Sequence, residues 1–357
     1  MTTYVAPREK LFGHLDRLVE LRDTSATAAP INVEVDLSNR CSLGCEWCHF
    51  AYTHTRGPLA GKRRKPANAE VGGDLMDPLL AARLIGEAAK LGAASITWTG
   101  GGEPTLHPAF DEIVQTGEGR IAQGLYTHGG HISTERAALL KRVMTFVYVS
   151  LDAADAESYK RDKGVDRFDA ACAGIRRLVA ADGDATVGVG FLLGAHNWWK
   201  ARQMADLGRS LGADYVQFRP IILYDIDDPG TVTDAQTEWL HQPLRELLDG
   251  LAAEPGVEID VERFRMYRHW KGHGYETCWW SVLQTVVTPN GKMWRCVNKR
   301  EQPAALLGDL SVESFADVWA RVHAQPVDSD CRVLCRGHLA NLALDDLLSP
   351  RVHPEFV

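Results

Sequence analysis

No stretch of this sequence approaches the ~18–20 consecutive apolar residues that a membrane-spanning helix needs. Residues 1–10 lack the apolar centre of a secretory signal. An excess of positive charge is also missing: 39 Lys and Arg against 47 Asp and Glu leave a net charge of −8. That argues against general nucleic-acid binding, which rests on a basic face. Low-complexity tracts and short internal repeats are absent. With 45% hydrophobic and 24% charged residues, the chain is neither disordered nor fibrous. What is left is a cytoplasmic enzyme or binding protein, and 357 residues suit one large domain with a smaller one.

One local basic run interrupts the acidic balance. Lys62-Arg63-Arg64-Lys65 reads either as a solvated loop or as a gate for an anionic substrate.

A short amphipathic helix is expected around 11–21, within an N-terminal extension of residues 1–29. From Ile31 a β/α alternation begins. Strands are expected at 31–36, 95–99, 124–127, 146–151, 186–193 and 215–219. Helices are expected at 78–91, 108–116, 134–142, 168–180 and 198–211, with a long loop over 51–76. Asp77-Pro78 is a helix start and Gly92 a helix stop. Six strands with intervening helices imply a parallel α/β sheet closing toward a barrel, with chemistry at the C-terminal strand ends. The barrel is bounded at 30–230. A linker region with a helix over 233–251 fills 231–268. A second module spans 269–357, with strands at 281–288 and 292–297 around Pro289-Asn290-Gly291 and a helix at 314–323.

Eight cysteines in an apparently cytosolic chain are not read as disulfides. Seven fall in two groups and Cys172 stands alone. Cys41, Cys45 and Cys48 follow the first strand. Three thiolates on one loop can hold three corners of a [4Fe–4S] cluster and leave one iron open. They can equally form a zinc site completed by His49 or a distant residue. The second strand runs into Gly100-Gly101-Gly102-Glu103-Pro104, where glycines allow close backbone approach and a carboxylate can accept from an ammonium group.

With C-x3-C-x2-C at 41–48, Trp47 before the last cysteine, and Gly101-Gly102-Glu103-Pro104, the chain resembles the radical S-adenosylmethionine (SAM) enzymes over about 31–219. The resemblance implies a partial (β/α)6 TIM-like barrel. It implies a [4Fe–4S] cluster on Cys41, Cys45 and Cys48, with SAM bound at the open iron and cleaved to a hydrogen-abstracting radical. Trp47 would lie beside the adenine. Gly101, Gly102 and Glu103 would receive the methionine ammonium. Ser150 and Asp152 match a Ser-Leu-Asp pattern of the family. Lys163 stands where the family often has arginine, and can pair with the SAM carboxylate without the bidentate fork. His128 replaces a frequent asparagine; it would touch SAM or substrate, or serve the structure.

The tail carries Cys278, Cys296, Cys331 and Cys335. Four thiolates close either a structural zinc site or a fully ligated cluster. The order C-x12-G-x4-C, with Leu307-Gly308-Asp309-Leu310 and the segment 315–319, is similar to SPASM and twitch auxiliary-cluster domains. That resemblance implies a small C-terminal α+β twitch domain with one auxiliary [4Fe–4S] cluster. The cysteine order is like that of the aminocyclitol-oxidising twitch dehydrogenases.

The function expected from this is hydrogen abstraction from a small polar metabolite (a sugar, aminocyclitol or nucleoside of a specialised pathway), with dehydrogenation as the outcome. Epimerisation and radical decarboxylation are alternatives. An electron donor such as flavodoxin or ferredoxin would be a partner; nucleic acid and membrane would not. Candidate bases are His49, His54, His128, Tyr275 and Glu276, each of which also has a structural reading. Cys172 reads as a small buried residue, or as a hydrogen donor in an epimerase. Trp270, Trp279, Trp280 and Trp294 read as the core of the small module, or in part as pocket walls. A peptide maturase is the rival within the family, disfavoured by only 29 residues ahead of the barrel. A non-enzymatic zinc protein is the rival outside it.

Overall fold

Alternation along the strands sets the architecture of the protein, described here from a computed structural model. It covers residues 10–45, 48, 75–194, 196–221, 242–259, 264, 272–300, 302–328, 331 and 335–348. A 3-10 turn, Phe12–His14, leads into α1 (Leu15–Thr24), where Leu18 and Leu21 are buried. β1 (Asn32–Asp36) reads Asn-Val-Glu-Val-Asp. Val33 and Val35 enter the apolar layer beneath the helices, so Glu34 and Asp36 take the opposite, inner face.

Five strands follow, each parallel to the one before: β2 (Ser95–Thr99), β3 (Ala122–Thr127), β4 (Phe146–Ser150), β5 (Thr186–Leu193) and β6 (Tyr215–Pro220). Their outer faces are apolar: Ile96 and Trp98, Val147 and Val149, Val187 and Val189, Val216 and Phe218. The inner faces are different. Thr97, Thr99, Tyr126, Ser150 and Arg219 are only partly buried, and β5 offers Gly188 and Gly190 there. A filled parallel barrel carries layers of bulky branched residues inside. This one carries hydroxyls, glycines and charge.

Helices α2 (Pro78–Leu91), α3 (Phe110–Thr116), α4 (Thr134–Val143), α5 (Ala156–Lys163), α6 (Phe168–Ala180) and α7 (Ala201–Ser210) cross over between strands. Asp77 caps α2, its carboxylate accepting from Leu79 N and Leu80 N, and Gly92 ends it at φ 98°. The expected helix over 108–116 divides into a 3-10 turn, Pro104–Leu106, and α3. The expected 198–211 divides likewise, because Trp198–Lys200 is a 3-10 turn. α5 was not expected.

The Asp155 cap of α5 accepts from Ser158 N at 2.8 Å and from Lys200 Nζ at 2.7 Å. Burial raises its pKa, but these bonds outweigh it and hold the carboxyl at about 2 against a usual 3.8. A depressed carboxylate stabilises the fold above its unfolded pKa and stops doing so as pH falls through its folded one. Asp155→Ala should therefore cost about 1 kcal/mol at pH 7, the scale of a lost cap. The difference from wild type in urea melts should vanish as pH falls from about 4 to about 2; a difference constant with pH would refute the cap's role.

Beyond β6 the sheet does not stop at the six expected strands. α8 (Gln242–Ala252) leads to β7 (Val257–Ile259), which lies parallel to β6. Positions 233–241 of the expected helix lie outside the described residues. The tail contributes β8 (Thr277–Cys278), β9 (Gln284–Val287), β10 (Lys292–Trp294) and β11 (Leu306–Asp309). Then come α9 (Phe315–Trp319), β12 (Gln325–Pro326) and α10 (His338–Leu348). The strand expected over 281–288 begins as a 3-10 turn, Trp279–Val282.

β9 and β10 form the expected hairpin, and Gly291 takes the left-handed conformation at φ 79°. β9 also runs parallel to β1, from Asn32↔Gln284 to Val35↔Val287. One ten-stranded sheet results, in the order β11-β10-β9-β1-β2-β3-β4-β5-β6-β7. β8 and β12 form a separate pair. The N-terminal segment is stitched to the tail: Thr27 Oγ1 donates to Val282 O at 2.6 Å, and Trp319 Nε1 donates to Thr27 O at 2.8 Å. No helix among the described residues is long and apolar enough to cross a membrane.

Candidate active site

The loop after β1 places Cys41, Cys45 and Cys48 at the C-terminal end of the first strand, and none is in a disulfide. Neighbouring backbone pins the loop from two sides. On one side, Gly102 N donates to Ser38 O at 3.0 Å and Glu103 N to Arg40 O at 2.8 Å. A Cβ on Gly102 would sit 2.2 Å from Arg40 O, so only glycine lets this turn lie against the loop. On the other side, Gly44 N donates to Lys163 O at 2.8 Å. Gly164, at φ 72°, has its own virtual Cβ 2.9 Å from Gly44 O.

Glu103 is 3% exposed and both its oxygens are engaged. Oε1 accepts from Thr105 Oγ1 at 2.5 Å and Thr127 Oγ1 at 2.6 Å; Oε2 accepts from His128 N at 2.9 Å. Burial pushes this carboxyl up, but His128 and the hydrogen bonds bring it below the usual range, so it is ionised. It ties the end of β3 to the glycine turn.

His128 is equally buried. Its Nδ1 accepts from Gly130 N at 3.0 Å, which places the neutral ring's proton on Nε2. Nε2 lies 3.2 Å from Ser42 Oγ and 3.6 Å from Glu103 Oε2. Ser42 Oγ also lies 3.0 Å from His131 Nε2. Burial holds the His128 pKa below the usual imidazole range, against the opposing pull of Glu103.

A buried ion pair stands under the second cysteine. Lys163 Nζ donates to Asp152 Oδ2, and Asp152 Oδ1 accepts from Leu192 N at 2.9 Å. Asp152 itself adopts φ 58°, a conformation costly for a side-chain-bearing residue. Burial pushes the Cys45 thiol up to about 11, opposed by the nearby Lys163 ammonium, and the Cys41 thiol up to about 12. Ligating thiols must lose those protons. Ser150, half-buried, ends β4 two residues before Asp152. Trp47, His49, His54, Trp270 and Lys62–Lys65 lie outside the described residues.

The tail cysteines converge. Cys335 lies within electrostatic reach of Cys296, Cys278 and Cys331. Burial pushes the Cys296 thiol up to about 11 and Cys335 up to about 12. Cys278 Sγ accepts from Asn341 Nδ2 at 3.6 Å, and Cys296 Sγ accepts from Asn298 N at 3.4 Å. Tyr275 OH lies 3.3 Å from His338 Nδ1 and 3.4 Å from His273 Nδ1, among these thiols. Among the described residues no three His, Cys, Asp or Glu side chains draw in to the distances of a single bound ion.

Two candidates stand elsewhere. Glu276 is exposed beside β8. Cys172 is 3% exposed in the apolar layer between α6 and the sheet, with Ala171 and Ile175. Trp294 is buried, and Trp279 and Trp280 pack against the apolar core.

Arginines that the sequence reading passed over join the two cysteine groups. Arg300 follows Cys296 by four positions and is ion-paired with Asp36. Arg336 follows Cys335 and is ion-paired with Glu34. The signal was there in β1: two acids at alternate positions in an otherwise apolar strand share one face.

Three thiols on a loop at the mouth of a parallel barrel, braced by a glycine turn at the next strand, define a cluster-binding barrel domain. Residues 35–208 match the sequence profile of the Radical SAM superfamily, and the barrel of this chain belongs to it. Membership implies a [4Fe–4S] cluster and SAM as cofactors. The donor set fits: three cysteines on the loop, with no fourth in sequence nearby.

Among curated relatives, the GTP 3',8-cyclase of Mycolicibacterium smegmatis is 32% identical over 165 residues, 45% of this chain and 42% of that protein. A probable GTP 3',8-cyclase of Saccharolobus solfataricus is 27% identical over 190 residues, 52% of this chain and 55% of that one. The chain thus spans about half of these relatives' lengths. Streptococcus suis SuiB bound to its precursor peptide SuiA superposes with a TM-score of 0.62 at 15% identity, over 89% of this chain and 70% of that one. The structure of anSMEcpe with bound AdoMet superposes with a TM-score of 0.59 at 15% identity, over 81% of this chain and 80% of that one. These likenesses are of fold.

Proposed function

We propose that this chain is a radical SAM dehydrogenase of a small polar metabolite, with a twitch-type second cluster held by Cys278, Cys296, Cys331 and Cys335. The observation that carries the reading is the convergence of those four thiols beside a barrel that already has its own three. When bound and reduced, the barrel's cluster with SAM supplies a 5'-deoxyadenosyl radical that abstracts hydrogen. The chain's residues do the rest. Cys41, Cys45 and Cys48 would hold that cluster by three thiolates. The ammonium of Lys163 favours the thiolate at Cys45 and offers charge to the SAM carboxylate. Glu103, fully engaged, holds the Gly101–Gly102 turn that would receive the ammonium end of SAM.

Dehydrogenation must also remove one proton and one electron from the substrate radical. A cluster held by the four tail thiolates would supply a one-electron acceptor. Arg300–Asp36 and Arg336–Glu34 connect that centre's loops to the inner face of β1. Ser42, between His128 and His131, provides hydrogen-bonded groups near the barrel mouth that suit proton removal. The inner-face hydroxyls suit a polar substrate.

The test compares wild type with Cys296→Ala after anaerobic reconstitution. Wild type should hold about eight iron and eight sulfide per chain, and the variant about four of each. The variant should still release 5'-deoxyadenosine without oxidised product. Eight iron retained in the variant, or zinc in the wild-type tail, would remove the second cluster and the dehydrogenase reading with it. A second reading, nucleotide cyclisation, is favoured by the barrel's relatives, which are named GTP 3',8-cyclases. Supplying GTP separates the two: consumption of GTP in step with 5'-deoxyadenosine release selects the cyclase.

A further inference from the structure

Among the described residues, the inner face of the barrel holds a guanidinium, Arg219, with no carboxylate in ion-pair contact; the charge of Asp152 reaches it only from beyond that distance. Lys163 is paired with Asp152, Arg300 with Asp36 and Arg336 with Glu34. Arg219, near the C-terminal end of β6, has no carboxylate partner among the described residues. Its Nη2 donates to Tyr148 OH at 2.7 Å, and the guanidinium lies 4.9 Å from the centre of the Tyr148 ring. Its Nε is buried and has no hydrogen-bond acceptor.

A partly buried cation with no carboxylate in contact is under-compensated, and a buried donor without an acceptor is costly. Such a cost persists where a ligand offsets it. The local sequence keeps the group in place: a Cβ on Gly190 would lie 1.7 Å from Tyr148 OH, so the glycine makes room for the tyrosine that holds Arg219. Across the curved sheet, on the same inner face, Glu34 Oε2 is a buried acceptor with no donor. The two unsatisfied groups are opposite in kind and separated by the strands β2–β5.

We infer that Arg219 is the substrate's anion anchor: the metabolite carries an acidic group, phosphate or carboxylate, on Arg219, and presents hydroxyl or ammonium donors toward Glu34. This deepens the proposed function by naming the substrate class, and it rests on that reading for the barrel's inner face as the substrate site. A guanidinium matches the two oxygens of either anion through paired N–H donors. The inner surface would then select an acidic polyol or amino acid over a neutral sugar.

The test is titration calorimetry on the anaerobically reconstituted full chain, with inorganic phosphate, malonate and SAM as separate probes. Wild type should bind phosphate or malonate, and which of the two binds tells phosphate from carboxylate. Arg219→Met should weaken that binding by about tenfold or more, with Arg219→Lys intermediate. SAM affinity should stay within about twofold. The inference is overturned if neither anion binds wild type, or if the variants bind them equally. It is overturned too if SAM affinity falls in step, which would give Arg219 to the SAM carboxylate, or if both variants fail to fold. None of these readouts needs SAM cleavage, so they stand apart from the dehydrogenase test.

Discussion

Cys45→Ala should abolish 5'-deoxyadenosine formation with a chemical reductant. Three thiols are the whole of the loop's donor set, so losing one leaves too few ligands to hold a cluster at the barrel mouth. Cys45 is also the thiol nearest in charge to Lys163, so its loss leaves that ammonium facing an empty position. The measurement is release of 5'-deoxyadenosine from SAM after anaerobic reconstitution, alongside iron content. The tail cysteines are untouched, so the variant should keep about four iron per chain. SAM cleavage at a rate near that of wild type would end the assignment of the cluster to this loop.

Lys163→Met should be the most damaging single change outside the cysteines. It leaves the Asp152 carboxylate buried without its counter-charge, at a residue already held at φ 58°. Breaking a buried pair from one side costs about 3–5 kcal/mol. Lys163→Met/Asp152→Asn should recover part of that loss, because the remaining amide carries no charge. The recovery belongs to stability alone; SAM affinity should stay low in both variants, since neither has the ammonium. Denaturant melts and SAM titration measure the two effects separately. A loss below about 1 kcal/mol in the single variant would place the pair among solvent-screened contacts.

The Lys163 helix also shows where reading the sequence fell short. α5 spans Ala-Glu-Ser-Tyr-Lys-Arg-Asp-Lys, too polar for an apolar stripe to announce it. Its ends carried the usual signals, Asp155 as cap and Gly164 as stop, but a helix of eight residues gives periodicity little room. By contrast α2 was legible to the residue, because Asp77-Pro78 and Gly92 bracket a long periodic run. The barrel strands were legible because each is a short segment with apolar residues at alternate positions, set between helices and turns. The cysteine groups were legible from spacing alone.

What spacing does not carry is long-range pairing. Nothing local in Gln284–Val287 marks it as the neighbour of β1, since parallel pairing between strands so far apart leaves no turn to read. The same limit hid the arginine bridges. Arg300 and Arg336 look like ordinary basic residues until the fold sets them against Asp36 and Glu34. Glu103 stands out in the sequence by its motif, while its hydrogen bonds to Thr105, Thr127 and His128 became visible only in three dimensions.

The pairing of β9 with β1 has a consequence for how the chain matures. Asn32 meets Gln284, a separation of 252 residues. At ordinary translation speeds the ribosome needs roughly 10–50 s to bridge that interval. Throughout it, the edge of β1 that will receive β9 is an unpaired template for any other extended chain. Among the six barrel strands, the edge next to the first cysteine loop is thus the last to be covered. A nascent barrel in that state should associate with chaperones or aggregate. Premature termination before residue 284 should yield insoluble protein, even though the six central strands have already been made.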